Sequence, residues 1–169
     1  AQGAAGMSGD VSELEQLAPA RKEISSEARD CPALLLNGLV AHRVEAIGDK
    51  HMPWIHNVRN TDFVVAIDDQ AVVNLARLFN EPAGQQYLID SGVEESLVSQ
   101  LDLLGFSGIS NVLSAIKFAK YNELTANDVV VTVLTDSMEL YQSRLAEMRA
   151  ESGPYSAMQA AADDARYLK

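Results

Sequence analysis

Cysteine occurs once in the 169 residues, as Cys31, so an internal disulfide framework is excluded and the thiol fits a reducing compartment. Basic residues are scarce: 13 Lys and Arg stand against 24 Asp and Glu, for a formal charge of -11. Such a surface repels phosphate backbones and anionic lipid heads, so neither nucleic acid nor a membrane surface is expected as a partner. Long apolar runs are missing too. Residues 129–134 (VVVTVL), among the most apolar, are far too few to cross a bilayer. The opening residues show no basic, apolar, cleavable leader, and a cytoplasmic location is expected. There is no internal repeat and no low-complexity tract. What is present is an acidic chain with 47% apolar residues, long enough to bury a core.

The patterning alternates helices with short strands. Residues 1–10 are small and glycine-rich and lead into a helical pattern with Val11, Leu14 and Ala18 on one face. Glycine loops of this kind usually follow a strand, so the chain reads as beginning inside a fold. Residues 22–27 form a weak strand pattern diluted by Ser25 and Ser26, and 63–67 (FVVAI) a strand buried on both faces. Asp68 or Asp69 then caps a helix whose Val72, Leu75, Ala76 and Phe79 fall at i, i+3, i+4 and i+7. Shorter helices follow over 83–89 and 94–100. A turn at 105–108 (GFSG) opens a helix with Val112, Ala115, Ile116 and Ala119 on one face. Residues 129–134 read as another buried strand. Asp136 and Glu139 resemble a capping box for a helix carrying Met138, Tyr141, Leu145 and Met148. Residues from Gly153 onward are expected to be peripheral. The alternation predicts an α/β fold, a mostly parallel sheet flanked by helices.

In such sheets ligands sit at the carboxyl ends of strands, in loops leading to helices. Three loops are so placed: 3–9, 105–108 and 135–137. A glycine loop at a helix start can cradle phosphate through free amides and the helix dipole. Ser107 offers a hydroxyl at a helix mouth; helix capping and ligand binding both remain open for it. His42, His51, His56 and Asp49 match no helical or zinc-finger spacing, so loop-ordering hydrogen bonds are the expected role and no metal is expected. Glu94–Glu95 and Asp163–Asp164 read as solvated acids, and Cys31 as a packing residue.

Residues 105–120 (GFSGISNVLSAIKFAK) and 129–141 (VVVTVLTDSMELY) resemble the C-terminal part of fold-type II pyridoxal-phosphate enzymes of the cysteine synthase and cystathionine β-synthase family. The family's serine-bearing turn, small-residue helix, buried strand and D-S-x-x-x-Y-like segment recur in order. Residues 43–48 (RVEAIG) are similar to its glycine loop beside the cofactor, and 3–9 (GAAGMSG) to its phosphate loop. The resemblance implies pyridoxal 5'-phosphate as cofactor, with Gly3, Ala4, Ala5, Gly6 and Met7 around its phosphate, Gly48 beside it, and Thr135 near the ring nitrogen. Ser107 would hydrogen-bond that nitrogen. A neutral hydroxyl does not hold it protonated as a carboxylate does, which favours β-elimination and β-replacement on an amino acid over transamination.

The family's Schiff-base lysine sits upstream of the phosphate loop, and none of Lys22, Lys50, Lys117, Lys120 or Lys169 occupies its motif. The resemblance therefore implies that residues 1–152 are the C-terminal part of a cofactor-binding α/β domain, with 153–169 a peripheral tail. The chain alone is expected to be inactive. Its implied partners are the lysine-bearing N-terminal part, an amino-acid substrate and a second copy in a homodimer. Ala4, Ala5 and Met7 stand where the family carries more glycine and a threonine. A catalytically silent subunit of the same fold is the alternative, and an unrelated acidic binding module a third reading.

Overall fold

The computed structural model describes residues 22–36, 43 and 57–169. The fold is α/β. Strand β1 (Ile24–Ala28) pairs in parallel with β2 (Phe63–Ile67), in a register that sets Ile24 against Phe63 and Ala28 against Ile67. Helices α1 (Asp69–Asn80), α2 (Pro82–Asp90), α3 (Glu95–Val98), α4 (Phe106–Tyr121), α5 (Gln142–Ser152) and α6 (Ala157–Tyr167) follow. Among the described residues no single helix is long and apolar enough to cross a membrane.

The predicted stripe of α1 is its buried face: Val72, Leu75, Ala76 and Phe79 all lie in the core. Asp68 starts the helix, its carboxylate accepting the Gln70 amide at 2.9 Å. Helix α2 crosses closely over the end of α1, since a Cβ on Gly84 would lie 2.2 Å from the Leu78 carbonyl oxygen. Helix α4 packs against α1 on one side and both strands on the other. Its most buried apolar residues are therefore Phe106, Ile109, Leu113 and Phe118, while Val112, Ala115, Ile116 and Ala119 are half-buried. A helix covered on two sides has no single apolar stripe to read.

Three further expectations change. Residues 129–134 form no strand, and Val129 and Val131 are 86% and 79% exposed, because no described strand lies beside them. Strand β2 is half-buried except at Ile67, since it has only β1 as a described neighbour. Residues 153–169 are not peripheral, because α6 packs against α1 and α2 with Ala160 fully buried.

Asp163 and Asp164 are buried rather than solvated, because α6 brings them to donors on other elements. The Tyr155 hydroxyl donates to Asp163 at 2.6 Å, Asn74 donates to its other oxygen at 2.9 Å, and Tyr87 donates to Asp164 at 2.9 Å. Nearby, buried Arg77 pairs with Glu81 and donates to the carbonyl of Gly153 at 2.6 Å. Gly153 holds a φ of 72°, a left-handed conformation suited to glycine, where α5 ends.

Candidate functional site

The mouth of α4 is built by Asp136, which lies 28 residues beyond Gly108. The first amides of a helix lack intrahelical partners and need an acceptor. Asp136 supplies it, its Oδ1 accepting the Gly108 amide at 3.1 Å and its Oδ2 the Ser107 amide at 3.4 Å. The Gly105 amide donates to the Asp136 carbonyl at 3.0 Å. Gly105 is glycine for a steric reason, since a Cβ there would lie 2.5 Å from the Asp136 carboxyl carbon. The capping-box reading of Asp136 is thus corrected: Ser137, not Asp136, precedes the 3-10 turn Met138–Tyr141, and the Asp136 carboxylate serves α4 instead. The sequence signal was the glycine at 105, read only as part of a turn.

Ser107 sits in the first turn of α4, 1% exposed. Its amide is capped, but its hydroxyl has no hydrogen-bond partner among the described residues. The hydroxyl is therefore not the N-cap. A buried polar group left unpaired costs roughly 1–3 kcal/mol. Thr135 is exposed, and its hydroxyl reaches the same Asp136 carboxylate at 3.4 Å. The structure thus joins Ser107 and Thr135 through a residue that sequence reasoning assigned elsewhere. Gly3, Ala4, Ala5, Gly6, Met7 and Gly48 lie outside the described residues, as do His42, Asp49, His51 and His56.

Other polar groups of α4 bond neighbouring segments. Ser26 of β1 hydrogen-bonds Ser114, and the Asn111 amide donates to the Val133 carbonyl at 2.8 Å, tying residues 129–134 to the helix. Lys117 and Lys120 are exposed and donate to the carbonyls of Ala66 and Lys169 at 2.9 and 2.8 Å. Tied to main-chain oxygens on the surface, they behave as snorkelling charges.

A buried hydroxyl at a helix mouth with no partner among the described residues fits a ligand atom that hydrogen-bonds, such as the nitrogen of a heteroaromatic ring. The fit extends to Ser107 and to the Asp136–Gly105 framework that holds it.

No family model matches the chain, and no curated protein matches it. Solved structures do. A hydrogen sulfide-producing enzyme, Fn1055, from Fusobacterium nucleatum aligns at TM-score 0.58 and 21% identity over 90% of this chain. The D232N mutant of Fn1055, complexed with an α-aminoacrylate intermediate, aligns at 0.55 and 24% identity over 78%. A second hydrogen sulfide-producing enzyme of that organism, Fn1220, aligns at 0.59 and 20% identity over 82%. The chain spans only 34%, 39% and 40% of the lengths of the mutant, Fn1055 and Fn1220 chains. At these identities the likeness is one of fold: an α/β arrangement shared with part of these enzymes.

Proposed function

We propose that the chain is the C-terminal, cofactor-facing part of a fold-type II pyridoxal-phosphate enzyme that eliminates or replaces the β-substituent of an amino acid such as a serine or cysteine derivative. The lysine that anchors the cofactor belongs to a part of the protein outside these 169 residues. That part is the obligate partner, and the whole assembles as a cytoplasmic homodimer. The observation that carries the reading is the Ser107 hydroxyl, 1% exposed and without a described partner. The fold shared with hydrogen sulfide-producing enzymes supports it, since hydrogen sulfide is what a cysteine loses when its β-substituent departs.

Pyridoxal phosphate, when bound, supplies an electron sink that acidifies the α-carbon of an amino acid. Ser107 would hold the ring nitrogen as a neutral donor and would leave it without a fixed proton, tempering the sink. The Asp136 carboxylate fixes the first turn of α4 and thereby the Ser107 backbone. Thr135 borders the same carboxylate on the solvent side. By the resemblance, residues 3–7 would line the phosphate and Gly48 would lie beside the cofactor.

The test uses the complete enzyme. Ser107→Ala removes one hydrogen bond of about 1–1.5 kcal/mol, so cofactor affinity falls roughly 5- to 10-fold. Ser107→Asp fixes a proton on the ring and moves turnover from elimination toward transamination. Unchanged affinity, spectrum and partitioning in both variants would overturn the assignment. Absence of any visible absorbance from the wild-type assembly would make the chain a catalytically silent subunit.

A further inference from the structure

Helix α4 carries three buried polar side chains at i, i+4 and i+7: Ser107, Asn111 and Ser114. That spacing sets them on one face of the helix. Ser114 hydrogen-bonds Ser26 of β1, and the Asn111 side-chain amide donates to the Val133 carbonyl at 2.8 Å. Of the three, only the Ser107 hydroxyl has no partner among the described residues. Asparagine inside a helix is a poorer helix former than alanine, so the needs of α4 itself do not explain position 111. What it holds does.

Residues 129–134 are all exposed, so burial of their apolar side chains does not fix their course. Among the described residues the bond from Asn111 is the only hydrogen bond that reaches them. Three residues beyond Val133 stands Asp136, whose carboxylate accepts the Ser107 and Gly108 amides. The Gly105 amide fixes the Asp136 backbone at the far end of this stretch, and Asn111 fixes the near end. A closed circuit results. It runs from Asn111 to the Val133 carbonyl, along the chain to Asp136, across to the first turn of α4, and one turn down the helix to Asn111 again.

We propose that Asn111 is a positioning residue for the candidate site. By bracing Val133 it keeps Asp136 in place, and through Asp136 the first turn of α4, where the Ser107 hydroxyl meets the cofactor's ring nitrogen. Only that last step rests on the cofactor reading of Ser107; the brace is a property of this chain.

The first arm of the test is backbone hydrogen exchange on the full chain without cofactor. Asn111→Leu keeps the branched shape of the side chain and removes its donor. Exchange should quicken about 5-fold at the Ser107 and Gly108 amides, the effect of one net hydrogen bond. Leucine is the better helix former and would by itself slow these amides, so the sign separates the brace from a role inside α4. The amides of α1 should stay unchanged, which separates local loosening from a general loss of stability. With Asp136→Ala already present, Asn111→Leu should add nothing. Asn111→Ala, which makes no demand on packing, should reproduce each result. Unchanged or slower exchange at 107 and 108, or equal acceleration with and without Asp136→Ala, overturns the proposal.

The second arm titrates the complete enzyme with pyridoxal phosphate, followed by absorbance. Asn111→Leu should weaken cofactor affinity about 3-fold, and should change nothing once Ser107→Ala is present. An equal loss in both backgrounds overturns the proposal, because Asn111 then acts by a route that does not pass through Ser107. Exchange that quickens as expected while Ser107→Ala leaves affinity unchanged marks a different failure: the cofactor reading falls, and the last step of the proposal with it.

Discussion

Replacing Asp136 with alanine should loosen the mouth of α4 in a measurable and diagnostic way. The carboxylate accepts the Gly108 and Ser107 amides at 3.1 and 3.4 Å, both orphan donors at a helix start. Loss of an N-cap side chain costs about 0.5–2 kcal/mol, and loss of a negative charge at a helix N-terminus about 0.3–1 kcal/mol. The longer of the two bonds is weak, so the expected total is about 1–2 kcal/mol. For a chain of this size that lowers the thermal midpoint by roughly 3–6 °C. Gly105→Ala should destabilise by a similar amount, since its Cβ would meet the carboxyl carbon at 2.5 Å and push it off the amides. The double variant is the sharper test, because without the carboxylate the added methyl has nothing to displace. Urea unfolding of the four proteins should give a coupling of about 1 kcal/mol, with the double variant little worse than Asp136→Ala alone. Additive losses, or an Asp136→Ala change below about 0.3 kcal/mol, would refute the cap and with it the account of how Ser107 is held.

Gly84→Ala places a Cβ 2.2 Å from the Leu78 carbonyl oxygen, so α2 must shift from α1; a loss of about 1–3 kcal/mol in urea unfolding is expected. Tyr155→Phe leaves the buried Asp163 without its 2.6 Å donor and should cost about 1–3 kcal/mol near neutral pH. Burial, and then the bond to Asp163, push the Tyr155 hydroxyl pKa well above its ordinary value. The folded state therefore keeps a proton that the unfolded chain releases near pH 10, so the tyrosine's contribution is complete below pH about 10 and is lost as pH rises further. Stability measured from pH 9 upward should fall more steeply for wild type than for Tyr155→Phe; parallel curves would contradict this.

The elements that announced themselves were those whose burial is set by local period. Helix α1 declares its face through Val72, Leu75, Ala76 and Phe79 and its start through Asp68. Where neighbours distant in sequence decide, the pattern misleads. An apolar run such as 129–134 reports a preference for burial, not whether a strand lies beside it. Asp163 and Asp164 look like surface acids until Asn74 and Tyr87, 89 and 77 residues away, are brought to them. Asp136 offered a local capping signal, yet its carboxylate serves a helix that begins earlier in the chain. Ser107 was legible as a hydroxyl at a helix mouth, but its lack of a partner among the described residues is a property of packing that no spacing encodes.

Ser107→Ala in the cofactor-free chain asks most directly whether that hydroxyl is held for a ligand. A buried group such as this one, with no partner among the described residues, is a liability to folding, so its removal should leave stability unchanged or raise it by up to about 1 kcal/mol in urea unfolding. A loss of 1 kcal/mol or more would mean, on the same scale, that the hydroxyl already serves the fold, and the pyridoxal-phosphate reading would lose its support.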